Sequence, residues 1–186
     1  LLLDIGGVLL RTEDPEPRRR WERRLGLPEG RLADIVFGNE AARRATVGQA
    51  DEDAVWKEAA RLLGLTDEDR RSLRADFFAG DRWDEALLAF ARSLRPRLRT
   101  GILSNTWTGM RTAFARWISA DAFDAVTYSC EEGIQKPDAR IYREAVRRMG
   151  LAPAAVLFVD DFGENVAGAV NAGLQAIQFR SAADLM

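Results

Sequence analysis

The sequence predicts an α/β fold in which a parallel sheet core is interrupted by a block of helices. Two observations carry this prediction. From Asp84 onward, short apolar runs alternate with helical stretches, a pattern typical of right-handed crossover units and a parallel sheet. An apolar run at residues 1–3 is separated from that region by a long stretch of helical pattern. With 186 residues and 47% apolar content, the chain is long enough to bury a substantial core.

The first strand runs into Asp4 in the stretch LLLDIGGVLL, and the Pro-containing RTEDPEPRRR is predicted to be a linker that leaves it. About four helices are then predicted, from RRRWERRLG, RLADIVFGNEAARRA, DEDAVWKEAARLLG and TDEDRRSLRADFFAG. Asp51 before the third and Gly64 after it are typical start and stop residues. We therefore predict that residues 15–80 form a small helical cap, inserted into a core of residues 1–14 and 81–186.

The second part of the chain supplies the rest of the predicted core. Its helices are expected in DEALLAFARSL, TGMRTAFARWI, DARIYREAVRRMG and GENVAGAVNAG. Its strands are expected in LRTGILS, FDAVTYS, AVLFVD and LQAIQF. This alternation places the carboxyl ends of all the strands at one edge of the sheet.

Composition excludes several functions. The net charge of −2 gives no general attraction to nucleic acid, and no apolar run reaches the roughly 20 residues of a membrane span. The single cysteine, Cys130, predicts a reducing, cytoplasmic setting rather than a disulfide framework. The absence of histidine excludes imidazole-based catalysis and metal binding. The chain begins inside a strand without Met, so we expect residues before Leu1; the sequence does not indicate an oligomeric state.

Polar side chains follow three of the predicted strands. Asp4 follows LLL, Ser104 and Asn105 follow GIL, and an acidic pair follows LFV. That pair is Asp160 and Asp161. Lys136 lies in GIQKPDARIY, also at the carboxyl edge. Taken singly, each of these is more often a turn or cap residue, but their common location predicts a site.

These residue types indicate the chemistry of phosphate. Carboxylates beside a backbone carbonyl suit a hard cation such as Mg²⁺. A Ser hydroxyl, backbone N–H groups near Asn105 and the Lys136 ammonium are donors suited to an anion held next to that cation. One carboxylate is then free to attack phosphorus as a covalent nucleophile.

The motifs LLLDIGGV, GILSN, QKPDARIY and FVDDFGENVAGAVNAGL, in this order, resemble those of the haloacid dehalogenase-like (HAD) superfamily. The resemblance implies a Rossmann-like core. The helical insertion is similar to the cap of the subfamily that contains the N-terminal phosphatase domain of soluble epoxide hydrolase and bacterial sugar-phosphate phosphatases. The resemblance as a whole implies a Mg²⁺-dependent phosphatase that acts on a small phosphorylated metabolite.

The resemblance also implies catalytic and binding roles for individual residues. Asp4 would be the nucleophile that forms an aspartyl-phosphate. Ser104 and the Asn105 backbone would bind the phosphoryl oxygens, and Lys136 would neutralise charge between nucleophile and phosphate.

The implied metal ligands are Asp4, the Gly6 carbonyl, Asp161 and Asp160, the last either sharing the ion or orienting a water. Gly6 departs from the phosphatase pattern, in which a second Asp two positions after the nucleophile protonates the leaving oxygen. General acid–base catalysis contributes about 10²–10⁴-fold. Two alternatives to a phosphatase therefore stay open: a hydrolytic dehalogenase of the 2-haloacid type and a catalytically weak phosphate-binding or regulatory domain.

The aromatic residues of the insertion are expected to form the core of a small bundle. They are Trp21, Phe37, Trp56, Phe77 and Phe78. Trp83 and Trp107 are expected nearer the active edge, where they would line a leaving-group pocket.

Overall fold

A parallel five-stranded sheet lies at the centre of the protein. The computed structural model describes residues 1–95, 97–119 and 122–185. In chain order, its strands are β1 (Leu2–Leu3), β2 (Leu10–Thr12), β3 (Asp81–Trp83), β4 (Gly101–Ser104), β5 (Ala125–Tyr128), β6 (Leu157–Asp160) and β7 (Gln175–Gln178). The order within the sheet is β5-β4-β1-β6-β7, all parallel, while β2 and β3 form a separate antiparallel ribbon. The predicted α/β class is confirmed.

The described residues form ten α-helices. They are α1 (Glu16–Leu25), α2 (Arg31–Gly38), α3 (Glu40–Thr46), α4 (Glu52–Leu63), α5 (Asp67–Phe77), α6 (Glu85–Leu94), α7 (Met110–Phe114), α8 (Ser129–Glu132), α9 (Ala139–Met149) and α10 (Gly163–Asn171). Short 3₁₀ turns occupy Pro153–Ala155 and Ala182–Asp184. None of the described helices is long and apolar enough to cross a lipid bilayer.

Strand β1 is short but lies between β4 and β6, and both of its faces are covered. Leu2 pairs in register with Gly101 and Phe158, and its side chain packs into the cluster that contains α9. Leu3 faces the opposite cluster, which contains α6. Burial on both faces explains why this strand is apolar throughout rather than alternating. The residues that follow β1, beginning with Asp4, therefore lie at the middle of the carboxyl edge of the sheet.

Helices α1 to α5 and the residues between them, residues 16–78, form what we call the helical segment. It has its own core, in which Trp56, Leu73 and Phe77 are fully buried. The prediction of about four helices was wrong, because RLADIVFGNEAARRA divides into α2 and α3. Asn39 ends the first and caps the second: its side chain accepts a hydrogen bond from Ala42 N and donates one to Val36 O. Since Asn favours N-cap positions, the Gly-Asn pair was the signal that marks this break.

The antiparallel ribbon of β2 and β3 was not predicted from the sequence. Leu10 pairs with Trp83 and Thr12 pairs with Asp81, although the stretch from Arg11 onward was predicted to be a linker. These strands are three residues long, and a pairing between residues about 70 positions apart leaves no local signal. The ribbon brings the two ends of the helical segment side by side. The proposed boundaries, at residues 14/15 and 80/81, remain a prediction.

Two smaller differences lie between the strands. The stretch TGMRTAFARWI was predicted to be one helix, but α7 spans only Met110–Phe114. The short helix α8 follows β5 directly and was not predicted.

Candidate active site

The carboxyl ends of the three central strands bring polar side chains to one edge of the sheet. Ser104 is the last residue of β4 and Asp160 the last residue of β6. Asp4 follows β1, and its backbone N–H donates to Val159 O over 3.0 Å, which extends the strand ladder to the carboxylate itself. All three residues are buried. Parallel pairing therefore places them side by side, as the sequence predicted.

The Asp4 carboxylate is held by two donors. Its Oδ1 accepts from Ile5 N over 2.7 Å and lies 3.0 Å from the Lys136 ammonium nitrogen. Burial raises the pKa of Asp4 to about 6, because the opposing effect of Lys136 is smaller than the desolvation and the negative charge of Asp160 adds to it. The protein thus holds a carboxylate where a nearby positive charge is needed to keep it ionised.

Lys136 is the positive charge at the centre of the site. Its side chain is 1% exposed, and Nζ lies 2.6 Å from Asp160 Oδ2 as well as within reach of Asp4. The preceding loop is fixed by Asn105, whose side-chain amide donates to Lys136 O over 3.1 Å and whose Oδ1 accepts from Lys136 N over 2.9 Å. The sequence predicted a backbone role for Asn105. The structure adds that its side chain positions the lysine.

Asp160 uses both carboxylate oxygens within the protein. Oδ1 accepts from Phe162 N over 2.8 Å and from the Asn165 side chain over 3.0 Å, while Oδ2 accepts from Lys136. Asn165 was missed from the sequence, although its place on the first turn of α10, five residues after Asp160, is a signal that could have found it. This network makes Asp160 a residue that orients its neighbours.

Asp161 differs from Asp160 in the hydrogen bonding of its carboxylate. Its Oδ1 is buried and accepts no hydrogen bond within the described residues. Burial and the nearby charge of Asp160 raise its pKa. A Cβ on Gly7, which has φ +73°, would lie 2.0 Å from Asp161 Oδ2, so only glycine fits there. Gly7 thus approaches Asp161 closely, and one carboxylate oxygen of Asp161 has no partner in the described part of the chain.

These carboxylates form a group that suits a metal ion. One oxygen each of Asp4, Asp160 and Asp161 lies within 4.8 Å of the others. Three carboxylates against one ammonium leave two uncompensated negative charges when all are ionised, and a divalent cation would balance them. Gly6 lies beside this group, and a Cβ built on it meets no atom within 4 Å. The position that lacks an acid therefore has room for one.

A cavity of about 890 Å³ lies above the edge. Asp4, Ser104 and Lys136 line one side of it. Residues of the helical segment line the other; we call them the helical wall, and they are Arg18, Phe37, Arg43, Thr46 and Phe78. Both parts of the chain thus contribute to one cavity that is open to solvent.

The aromatic residues divide between core and cavity. Trp21, Trp56 and Phe77 are buried in the helical segment, as expected. Phe37 and Phe78 were expected in that core, but they are 50% and 37% exposed and line the cavity. The two tryptophans predicted near the edge lie there: Trp107 lines the same cavity, whereas Trp83 lines an adjoining one.

The parallel sheet, the helical insertion and the acidic edge together define an α/β protein with a carboxylate cluster at its strand ends. The family model described as haloacid dehalogenase-like hydrolase matches residues 1–173. The chain belongs to this family, and the resemblance inferred from its motifs is confirmed.

Known proteins share both the fold and parts of the sequence. The solved HAD family enzyme bt-2542 from Bacteroides thetaiotaomicron, in a complex with magnesium and inorganic phosphate, matches with a TM-score of 0.76 at 17% identity, over 97% of this chain and 93% of that one. Glyceraldehyde 3-phosphate phosphatase from Methanothermobacter thermautotrophicus is 47% identical over 60 residues, which is 32% of this chain and 26% of that protein. Bifunctional epoxide hydrolase 2 from Rattus norvegicus is 25% identical over all of this chain and 35% of its own length. The chain thus spans about a third or less of these two curated relatives.

Proposed function

We propose that the protein is a Mg²⁺-dependent phosphatase that hydrolyses a small-molecule phosphomonoester through an aspartyl-phosphate on Asp4. One observation carries the proposal: three carboxylates lie within 4.8 Å of one another, and Lys136 bridges two of them. This arrangement suits an anionic substrate held beside a cation. The phosphatase among the relatives and the phosphate complex of the structural neighbour support it.

The residues present fit a magnesium ion. Asp161 Oδ1 is buried without a hydrogen-bond partner in the described part of the chain, and oxygen is the ligand that Mg²⁺ prefers. Asp4, Asp161 and the Gly6 carbonyl would hold the ion. Asp160, whose oxygens are occupied by Lys136 and Asn165, would contribute charge and orientation. A bound ion would neutralise the negative charge of the phosphoryl oxygens.

Asp4 would act as the nucleophile. Its Oδ1 accepts from Ile5 N and lies 3.0 Å from the Lys136 nitrogen, so the carboxylate is held in a fixed orientation at the strand end. The Asp4–phosphorus bond forms as the bond from phosphorus to the leaving oxygen breaks, and that oxygen takes a proton from water. A water molecule then attacks phosphorus, which releases inorganic phosphate and regenerates the carboxylate.

The phosphoryl oxygens need donors that are in place before the reaction. The Ser104 hydroxyl and the Asn105 backbone N–H lie at the end of β4, and the Lys136 ammonium lies beside Asp4. Donors fixed by a strand end and a buried ion pair cost little reorganisation when charge develops on those oxygens. The proposed setting is cytoplasmic, which the free thiol of Cys130 supports.

Phosphate release from sugar phosphates, nucleotides and an aryl phosphate, with and without EDTA, tests the proposal. We expect release that requires Mg²⁺ and is lost in Asp4→Asn. Activity that survives both EDTA and Asp4→Asn would refute it. So would inactivity on every ester.

The same assays separate the two alternatives. A 2-haloacid dehalogenase displaces halide from carbon and needs no cation, so it would release halide from 2-chloropropionate in EDTA. A phosphate-binding domain would bind Mg²⁺ and phosphate but turn over no faster than Asp4→Asn.

A further inference from the structure

A second cavity, of about 560 Å³, adjoins the one above the sheet edge. We call it the aromatic chamber and define it by Phe78, Trp83, Met110, Ala113, Phe114 and Trp117. Its volume lies within the range of about 300–1,000 Å³ that is usual for small-molecule pockets. None of the residues to which a catalytic role is given above lines it.

The aromatic chamber shares a boundary of five residues with the active-site cavity. They are Leu10, Phe78, Asp81, Met110 and Phe114. A molecule whose phosphate lies at Asp4 therefore meets the chamber directly beyond these side chains. The chamber is placed to receive the part of a substrate that leaves with the ester oxygen.

The chamber wall is aromatic and already ordered. Trp83 stacks on Trp117 with ring centroids 4.9 Å apart and an interplanar angle of 13°, and it meets Phe114 edge-to-face at 5.2 Å. Trp83 belongs to the β2–β3 ribbon, whereas Phe114 ends α7. Rings fixed by one another offer a large apolar contact area with little loss of side-chain entropy on binding.

The charged groups at the chamber offer no excess positive charge to a second anion. Three acids, Glu52, Asp81 and Glu85, and one cation, Arg82, line it. Glu52 accepts from the Trp56 indole and pairs with Arg74, and Asp81 pairs with Arg18. A sugar bisphosphate or a phosphorylated carboxylic acid would therefore find no unpaired cationic excess here for its second charge.

We infer that the aromatic chamber is the leaving-group subsite and that the substrate is a monophosphate ester of an apolar alcohol or phenol. This inference rests on the proposed phosphatase function. It narrows the substrate class: affinity beyond the phosphate comes from apolar contact with the aromatic wall. Each methylene buried there should tighten binding about fourfold.

Binding of butyl-, hexyl- and octylphosphonate in the presence of Mg²⁺, measured by calorimetry, tests the subsite without turnover. We expect affinity to rise with chain length, on the order of fourfold per methylene until the chamber is filled. An affinity that does not change with chain length would overturn the inference.

Substitutions on α7 and next to it locate the effect. Ala113 is exposed and lines the chamber, so Ala113→Phe should fill it and weaken octylphosphonate binding by about tenfold or more. Binding of inorganic phosphate should stay within about twofold. Ala115→Phe is the matched control, because Ala115 is also exposed and does not line either cavity. Equal effects of the two substitutions on octylphosphonate binding would contradict the assignment.

Turnover separates this inference from the function on which it rests. Hydrolysis of octyl phosphate with a higher kcat/KM than glycerol phosphate or a sugar phosphate supports both. Hydrolysis of sugar phosphates together with an absent chain-length dependence would refute the subsite and keep the phosphatase. Chain-length-dependent phosphonate binding without hydrolysis of any ester would refute the phosphatase and keep the subsite.

Discussion

The sheet edge and the helical wall face each other across one cavity, but their residues are held in different ways. At the edge, Asp4, Lys136 and Asp160 are at most 6% exposed and are joined by ion pairs of 2.6 and 3.0 Å. On the wall, Phe37 is 50% exposed and is held by ring contacts, such as the edge-to-face contact with Phe77 at 5.4 Å. Charged groups held by buried ion pairs suit bond making, whereas half-exposed rings can be substituted at little cost in stability and suit substrate selection.

The largest expected effect is at the edge. Asp4→Asn keeps the shape of the side chain but removes the nucleophile, and we expect kcat to fall by at least about 10³-fold. Circular dichroism should be unchanged, because Lys136 retains its 2.6 Å contact with Asp160. Phosphate release assayed beside the unsubstituted protein measures the loss. Near-normal turnover would show that the edge does not carry the chemistry.

The two adjacent aspartates allow a sharper test of the edge. Asp160→Asn removes a fully buried charge that pairs with Lys136, so we expect the free energy of unfolding to fall by about 3 kcal/mol. Asp161→Asn should change it by less than about 1 kcal/mol in EDTA, because Asp161 Oδ1 accepts no hydrogen bond among the described residues. Urea unfolding measures both.

With Mg²⁺ present, Asp161→Asn should become about as destabilising as Asp160→Asn. A ligand at a hundredfold its Kd stabilises a protein by about 2.7 kcal/mol. Asp161→Asn should lose that gain. Retention of the full Mg²⁺ effect in Asp161→Asn would remove Asp161 from the metal site.

A smaller effect is expected at Gly6, where the edge has space but no acid. Gly6→Asp should raise kcat on an alkyl phosphate by about tenfold, because an alkoxide leaving group needs a proton. The gain should be smaller on an aryl phosphate, whose leaving group is more acidic. Gly6→Asn has nearly the same shape without the acid, and an equal gain in that control would contradict the interpretation.

The smallest effect is expected on the helical wall. Phe37→Ala should lower the free energy of unfolding by about 1 kcal/mol, since half of the ring is already in solvent. Phe77→Ala, in the buried core of the same segment, should cost about 3–5 kcal/mol. Thermal or urea denaturation of both variants checks the contrast. A large loss in Phe37→Ala would make the wall a structural element like the edge.

Much of the fold followed from local pattern. The alternation of apolar runs with amphipathic stretches predicted the parallel sheet, and Asp4, Ser104 and Asp160 were predicted at its carboxyl edge because parallel strands all end there. The pairing of β2 with β3 could not be predicted, because each strand has three residues and its partner lies about 70 positions away. The division at Asn39 was predictable from its capping preference but was outweighed by the continuous helical pattern around it.

By itself, the sequence determined which residue types stand at the strand ends, and therefore the kind of chemistry the site can perform. Only the tertiary structure decided how those residues share their contacts. In the folded protein both oxygens of Asp160 accept hydrogen bonds, whereas Oδ1 of Asp161 accepts none from the residues that the structure describes. Phe37 lies at the cavity and Phe77 in the core. The physical reason is that residue type and spacing are properties of the local chain. Hydrogen-bond partners and burial depend on segments that meet only when the chain has folded.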